Sequence, residues 1–186
     1  TDFHRYWPHQ TLRNLWMLSQ VVDPLRLRME VLNNTRNAEK YKGDPLAPVL
    51  YKPDALFAIA MMASPLGWFE VSNLPAEYAA QIRPLVTAWK RERARMHGGA
   101  IMPVGSAPDG VAWTGFVSAA ADGKGGYALL FRELNASAEF ALNAGRPFPP
   151  VLRATVLGGR GTAKVADGTL TVSVPEKLDF VWVKLE

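Results

Sequence analysis

The stretch DALFAIAMMASPLGWFEVSNLP, residues 54–75, says more about the fold than any other part of the chain. Its apolar run from Ala55 to Met61 is too short to span a membrane and too evenly apolar for a strand with one wet face. Such a run is typical of a parallel strand that is covered on both faces. The loop that follows places Trp68 and Glu70 just beyond the carboxyl end of this strand, where α/β barrels carry their chemistry.

The residues before this stretch carry the signals of a helix and then of a strand. After Pro8, apolar residues recur every three or four positions, which predicts an amphipathic helix over residues 9–22. Residues 25–34, LRLRMEVLNN, alternate apolar and polar positions with the period of a strand. Three X-Pro pairs within residues 35–54 predict a long loop after it, and long loops at strand ends are often functional. Together these signals indicate an α/β unit.

The pattern changes near residue 98. Residues 74–97 repeat apolar positions on one helix face, with Pro84 as a predicted kink, and Gly98-Gly99 predicts the end of that helix. Beyond it, short β-rich runs alternate with turn signals such as Asp109-Gly110 and Asp167-Gly168. We therefore predict an α/β piece over residues 1–97 and an antiparallel β-sandwich over residues 98–186.

Composition narrows the functional class. The chain has 186 residues, is 48% hydrophobic and carries a net charge of only +4, so it is an ordinary globular sequence in which we do not expect nucleic-acid binding. The absence of cysteine excludes disulfides and thiolate chemistry but leaves the compartment open, including a periplasmic or secreted parent protein. The opening TDFHRYWPHQ has neither an initiator methionine nor a signal-peptide pattern, so we expect the chain to belong to something longer.

Carboxylates are the first candidates for chemistry, because glycosidic bonds are cleaved by two carboxyl groups about 5 to 5.5 Å apart in retaining enzymes. Three precede the predicted boundary at informative places: Asp2 in the opening loop, Glu30 within the first predicted strand, and Glu70 after the second. Each has a structural alternative. Asp2 would cap a helix, Glu30 would pair with an arginine, and Glu70 would face solvent.

Aromatic and amide side chains are the candidates for binding. Trp7 and Trp68 lie in predicted loops and offer flat apolar faces to a sugar ring, although packing in the core is the alternative role. Asn33, Asn34 and Arg36 close the first predicted strand with donors and acceptors that suit hydroxyl groups. The same three side chains would equally cap the strand and its loop, and both interpretations stay open.

No metal or cofactor is expected from the sequence. The three histidines, His4, His9 and His97, have no helical i, i+4 pairing and no flanking carboxylate cluster. The run Gly158-Gly159-Arg160-Gly161 lacks the lysine, hydroxyl and following helix of a phosphate-binding loop, and it predicts a hairpin turn.

Four segments resemble the C-terminal half of the melibiase-like, α-galactosidase-type glycoside hydrolases. They are RYWPHQTLRNLW from Arg5, PLGWFEVSNLP from Pro65, the helix ending in MHGG, and PDGVAWTGF from Pro108. The resemblance implies a retaining α-glycosidase built as a (β/α)8 TIM barrel followed by an antiparallel β-sandwich. Residues 1 to about 97 would be the last units of the barrel, and the remainder would be the C-terminal β domain.

The resemblance also implies roles for particular residues. The family's nucleophilic aspartate would lie upstream of Thr1, in the preceding barrel half of the same protein, and Asp2 would lie near the position of the acid/base aspartate. Leu32 to Asn34 and Ser64 to Glu70 match strand ends that contact the sugar. We therefore expect a fragment that is inactive alone, with a glycoside as its substrate and no membrane partner. The alternative is a non-catalytic carbohydrate-binding or structural β-sandwich module over residues 99–186.

Overall fold

A computed structural model of the chain describes residues 6–68, 74–143 and 153–186. Its helices and strands, in chain order, are α1 (Pro8–Leu18), β1 (Arg28–Leu32), α2 (Pro53–Ala60), β2 (Ser64–Trp68), α3 (Tyr78–His97), β3 (Ala100–Gly105), β4 (Trp113–Ala119), β5 (Gly126–Arg132), β6 (Glu139–Asn143), β7 (Ala154–Gly159), β8 (Thr162–Ala166), β9 (Thr169–Ser173) and β10 (Asp179–Leu185). Within the described ranges, none of the helices combines the length and the apolar character needed to cross a membrane.

Strands β1 and β2 form a small parallel sheet joined through α2. The register sets Arg28 opposite Ser64 and Leu32 opposite Trp68, so the carboxyl ends of both strands lie at the same edge. Short 3-10 turns at Ala38–Tyr41 and Pro48–Leu50 fold the connection between β1 and α2. A crossover of this kind is what parallel strands require.

The other eight strands form two antiparallel sheets. The larger has the order β3-β4-β5-β10-β7, and the smaller has the order β6-β9-β8. The β8–β9 hairpin turns at Asp167 and Gly168, whose φ values of 49° and 71° suit the Asp-Gly pair of a tight turn. The predicted hairpin at Gly158 to Gly161 is instead the link by which the chain leaves the larger sheet after β7 and enters the smaller one at β8.

The larger sheet is buried on both faces. One face carries Tyr127, Leu129, Phe131, Phe180 and Trp182 into a core shared with the three helices. The alternate residues Ala128, Leu130, Val181, Val183 and Leu185 enter a second core against the smaller sheet. The first core joins residues on both sides of position 98, and the division into 1–97 and 98–186 stays a prediction.

The predicted strand at residues 55–61 is wrong, because this segment is helix α2. Pro53 occupies a first-turn position that tolerates proline, and Asp54 lies in the first turn, where a carboxylate interacts favourably with the helix dipole. Every residue from Ala55 to Ala63 is buried, so the helix is apolar all round and leaves no 3.6-residue pattern. The true strand, β2, lies in the segment predicted as a loop.

The predicted fold class is also wrong. The described residues form three helices, one parallel pair of strands and two antiparallel sheets, and no closed (β/α)8 barrel is present among them. The physical reason is simple: two parallel strands cannot close into a ring, which takes about eight. The antiparallel strands, which outnumber the parallel pair, carry most of the fold.

A buried carboxylate fastens α2 to the larger sheet. Asp179, at the start of β10, is 1% exposed and accepts hydrogen bonds from Lys52 Nζ at 3.1 Å and Arg160 Nε at 2.6 Å. Arg160 also donates to both carboxylate oxygens of Asp54 at 2.8 Å. Lys52 pairs in addition with the exposed Glu176. The network links the amino end of α2 to β10.

Replacing Asp179 by asparagine should therefore lower the free energy of unfolding. We expect a loss of about 2 kcal/mol, because hydrogen bonds to a buried charged group are removed. The matched control is Glu176→Gln, which removes an exposed partner of the same lysine and should cost less than about 0.5 kcal/mol. Urea unfolding measures both, and equal losses for the two variants would contradict the role given to Asp179.

Candidate functional site

The candidate site is a pocket at the carboxyl ends of β1 and β2. Because the strands are parallel and in register, their carboxyl ends lie at one edge of the sheet. The loop between β1 and α2 closes the other side. The pocket is lined by Tyr6, Leu32, Asn33, Arg36, Asn37, Tyr41, Pro48 and Trp68.

Three of the residues predicted to bind sugar line this pocket: Asn33, Arg36 and Trp68. Trp68 ends β2 with 48% of its surface exposed. Asn33 is buried, and its side-chain oxygen Oδ1 accepts hydrogen bonds from the Thr35 backbone N–H at 3.0 Å and the Thr35 hydroxyl at 2.8 Å. Arg36 is exposed at the rim. The structure thus brings an indole, a guanidinium and an amide to one opening.

Trp7 is not a wall of the pocket. It precedes α1, and its indole N–H donates to Asp44 Oδ2 at 2.8 Å. Its ring meets Tyr41 edge to face, with the centroids 5.4 Å apart. Trp7 therefore fastens the start of α1 to the loop that bounds the pocket, and Tyr41 is the residue of this pair that lines it.

Asn34 also has a structural role. Its Nδ2 donates to the backbone oxygens of Pro48 at 3.2 Å and Tyr51 at 2.8 Å, which holds the turn before α2 against the end of β1. The side chain is 4% exposed, and its carbonyl oxygen has no hydrogen-bond partner within the described part of the chain. It does not line the pocket with Asn33.

Of the three candidate acids, the structure describes only Glu30. Asp2 and Glu70 lie outside the described residues. Glu30 is in the middle of β1, half-buried, on the same side of the strand as Leu32. Burial raises the pKa of the Tyr6 phenol, and nearby Tyr78 and Glu30 add to the shift, so Glu30 lies close to the pocket wall. Among the described residues, no carboxylate lines the pocket itself.

The part of the chain that the structure describes contains no cluster of metal-binding side chains. No group of three or more histidine or acidic side chains is close enough there to hold an ion. His97 lies at the end of α3, where one ring nitrogen is 2.9 Å from the Met61 backbone oxygen. His9 lies in α1, where burial lowers its pKa.

The pocket suits a polar planar or ring-shaped group, and it can enclose only a part of such a group. Its volume is about 40 Å³, room for about three water molecules, which is less than a whole sugar ring. The exposed indole of Trp68 offers an apolar face, while Arg36 and Asn33 bring groups that hydrogen-bond to hydroxyls. These side chains suit binding rather than proton transfer.

Sequence reasoning missed four residues of the pocket: Tyr6, Asn37, Tyr41 and Pro48. Asn37 has a φ of 55°, a left-handed conformation that asparagine tolerates better than most residues. The Tyr6 backbone N–H donates to the Tyr41 hydroxyl at 2.5 Å, which joins the two tyrosines. The available signal was the buried aromatic Tyr41 in a loop otherwise rich in proline and charge.

Comparison with models of known protein families gives no match for this chain, and comparison with curated protein sequences gives none either. The resemblance to α-galactosidase-type enzymes therefore rests on the quoted sequence segments alone.

The Trp7–Asp44 hydrogen bond can be tested by pH. The Leu46 backbone N–H and the Trp7 indole both donate to Asp44 and hold the pKa of its carboxyl below the usual range. Because the pKa of Asp44 is lowered by folding, its ionised carboxylate stabilises the fold fully above the usual aspartate pKa. This stabilisation is lost as the pH falls through the lower pKa of the folded state. We expect the Trp7 indole N–H resonance to shift with that low midpoint.

The chain contains an internal control for this titration. Trp16 donates its indole N–H to the backbone oxygen of Val104 at 3.1 Å, which does not titrate. Its resonance should stay constant while that of Trp7 moves. A Trp7 resonance that titrates at or above the usual aspartate pKa, or one that moves together with Trp16, would show that Asp44 does not hold the indole.

Proposed function

We propose that this chain is the carboxyl-terminal part of a retaining glycoside hydrolase that cleaves α-galactosidic or related α-glycosidic bonds. In this proposal the chain supplies one wall of the sugar site, and the nucleophile lies in polypeptide that precedes it. The observation that carries the proposal is the meeting of Asn33, Arg36 and Trp68 at the carboxyl edge of a parallel strand pair. Such edges are where ligands bind in α/β proteins.

The residue types at this edge fit a sugar. The face of a pyranose presents C–H groups that pack on an indole, and its rim presents hydroxyls that both donate and accept hydrogen bonds. Trp68 provides the first kind of surface, and Asn33 and Arg36 provide the second. Tyr41 is buried and fixed by its contact with Trp7, so this side of the pocket is preformed.

The exposed surface of the parallel strand pair is an argument for the proposed preceding polypeptide. Each of its strands has one edge that no described strand occupies, and Leu66 and Trp68 of β2 are exposed. Parallel strands are normally buried, and a sheet of two strands is marginal in water. Preceding segments of the same protein would cover this surface and bring the missing carboxylate close to the pocket.

A second function, carbohydrate binding without catalysis, is favoured by a different observation. No acid lines the pocket among the described residues, whereas groups that hold a ring are present. A module of this kind would retain the ligand and leave its bonds intact. Because this module would be the β-sandwich over residues 99–186, the two functions are separated by where a ligand binds.

Titration with methyl α-D-galactoside tests the site. We expect the ligand to shift the indole resonance of Trp68, and Trp68→Ala or Arg36→Ala to raise the Kd about threefold to tenfold, since a ring contact contributes about 0.5 to 1.5 kcal/mol. The matched controls are Val111→Ala, which truncates another exposed apolar side chain, and Arg26→Ala, which removes another exposed arginine. Both should bind as the unsubstituted chain does.

The location of the shifts decides between the alternatives. Shifts around β1, β2 and the 36–52 loop support the proposed wall of a sugar site. Shifts confined to strands within residues 100–186 would favour the β-sandwich module and contradict the proposed site. Equal affinity of the Trp68 and Arg36 variants with the controls would contradict it as well.

The chain alone should not hydrolyse 4-nitrophenyl α-D-galactoside. The reason is that the proposed nucleophile belongs to preceding polypeptide, and a retaining mechanism needs both carboxyl groups. Release of 4-nitrophenol above the rate of a heat-inactivated sample measures the activity. Sustained turnover that is lost in Glu30→Gln would show that the chain contains its own catalytic carboxylate and that this part of the proposal is wrong.

A further inference from the structure

A second cavity lies where the helices meet the larger sheet. It is about 10 Å³, close to the space that one water molecule needs. The lining residues come from α1, from α2 and the turn before it, from the end of β5 and from the start of β10: His9, Leu12, Tyr51, Ala55, Ile59, Phe131, Arg132, Glu133, Leu178 and Asp179. This cavity is separate from the pocket at the ends of β1 and β2.

Glu133 is the most demanding group at this cavity, because it is a carboxylate with only 3% of its surface exposed. Its Oε2 accepts hydrogen bonds from the backbone N–H groups of Asp109, Gly110 and Ala112 at 3.0, 2.9 and 3.0 Å. Its Oε1 is buried and has no protein partner within the described ranges. A buried acceptor of this kind destabilises the fold unless a donor reaches it.

Two other polar atoms on the lining residues are in the same situation. The hydroxyl of Tyr51, a residue 7% exposed, and Nδ1 of His9 are buried without a hydrogen-bond partner in the described part of the chain. Burial raises the pKa of the Tyr51 phenol, and the nearby Glu133 carboxylate adds to the shift. The Tyr51 phenol is thus protonated, and it lies close enough to Glu133 for the two groups to interact electrostatically.

We propose that this cavity binds one water molecule, held by the Glu133 carboxylate, the Tyr51 hydroxyl and the His9 imidazole. The hydrogen bonds balance: the water donates one proton to Glu133 Oε1 and one to His9 Nδ1, and it accepts the proton of the Tyr51 hydroxyl. Buried waters typically make about three such bonds to polar groups that would otherwise be unsatisfied. One molecule therefore satisfies all three atoms.

The bound water adds a link between parts of the fold that direct side-chain bonds also join elsewhere. Glu133 holds the loop before β4, because three backbone N–H groups of that loop donate to its carboxylate. Arg13 of α1 donates to the backbone oxygen of Pro108 in the same loop at 2.7 Å. His9 belongs to α1, and Tyr51 precedes α2. The water thus connects both helices to the larger sheet at its core.

A high-resolution crystal structure of the full chain tests the proposal. We expect one density peak within hydrogen-bond distance of Glu133 Oε1 and the Tyr51 hydroxyl, and its loss in Tyr51→Phe, which removes the hydroxyl and keeps the ring. The matched control is Thr114→Val, which removes another buried hydroxyl without a described partner, on a residue that does not line this cavity, and should keep the peak.

A solution measurement covers the case in which the Tyr51 variant does not fold. In ¹⁵N-labelled chain, the amide protons of Gly110 and Ala112 should show cross-relaxation with a long-lived water. A direct hydrogen bond between Tyr51 and Glu133, a peak with the short oxygen contacts of a cation, or an empty cavity in the crystal would overturn the proposal. Absence of the water signal at both amides would overturn it too.

Discussion

The fold depends on the burial of both faces of the larger antiparallel sheet. Strand β5 has all seven of its residues buried, and its neighbour β10 is buried over its first five. The side chains alternate between two cores, with Phe131 and Trp182 towards the helices and Leu130 and Val181 towards the smaller sheet. Because alternate residues of a strand point to opposite faces, one strand pair serves both cores and fixes the layers on either side.

This constraint also explains what could be predicted of the fold. Strands with short alternating runs and Asp-Gly turns, such as β9 and the β8–β9 hairpin, leave a local signature in the sequence. Helix α2 leaves none, since a helix buried on every side between β1, β2 and α3 has no polar face to reveal its period. Length and apolarity alone do not separate such a helix from a buried strand. The tertiary environment decides, and here it selects a helix.

The meeting of Asn33 and Trp68 in one pocket follows from strand direction, although the sequence predicts the second strand at residues 55–61 and not at Ser64–Trp68. Asn33 follows β1 and Trp68 ends β2, and parallel strands place their carboxyl ends together. Trp7 and Asn34 show the limit of this reasoning, because their hydrogen bonds go to Asp44 and to the backbone before α2. Which polar side chain faces the pocket and which supports the loop depends on loop geometry that no short-range pattern encodes.

The two kinds of sheet in this molecule differ in how far they are covered, and the difference bears on function. The larger antiparallel sheet is closed on both faces, with Trp182 and Leu185 fully buried. The parallel pair has α2 on one side, while Leu66 and Trp68 of β2 are exposed. These two side chains lie on the same face of β2, and exposed apolar surface of this kind has an unfavourable free energy in water. Trp68 belongs both to this exposed face and to the pocket lining, so the exposed apolar surface of β2 continues into the pocket.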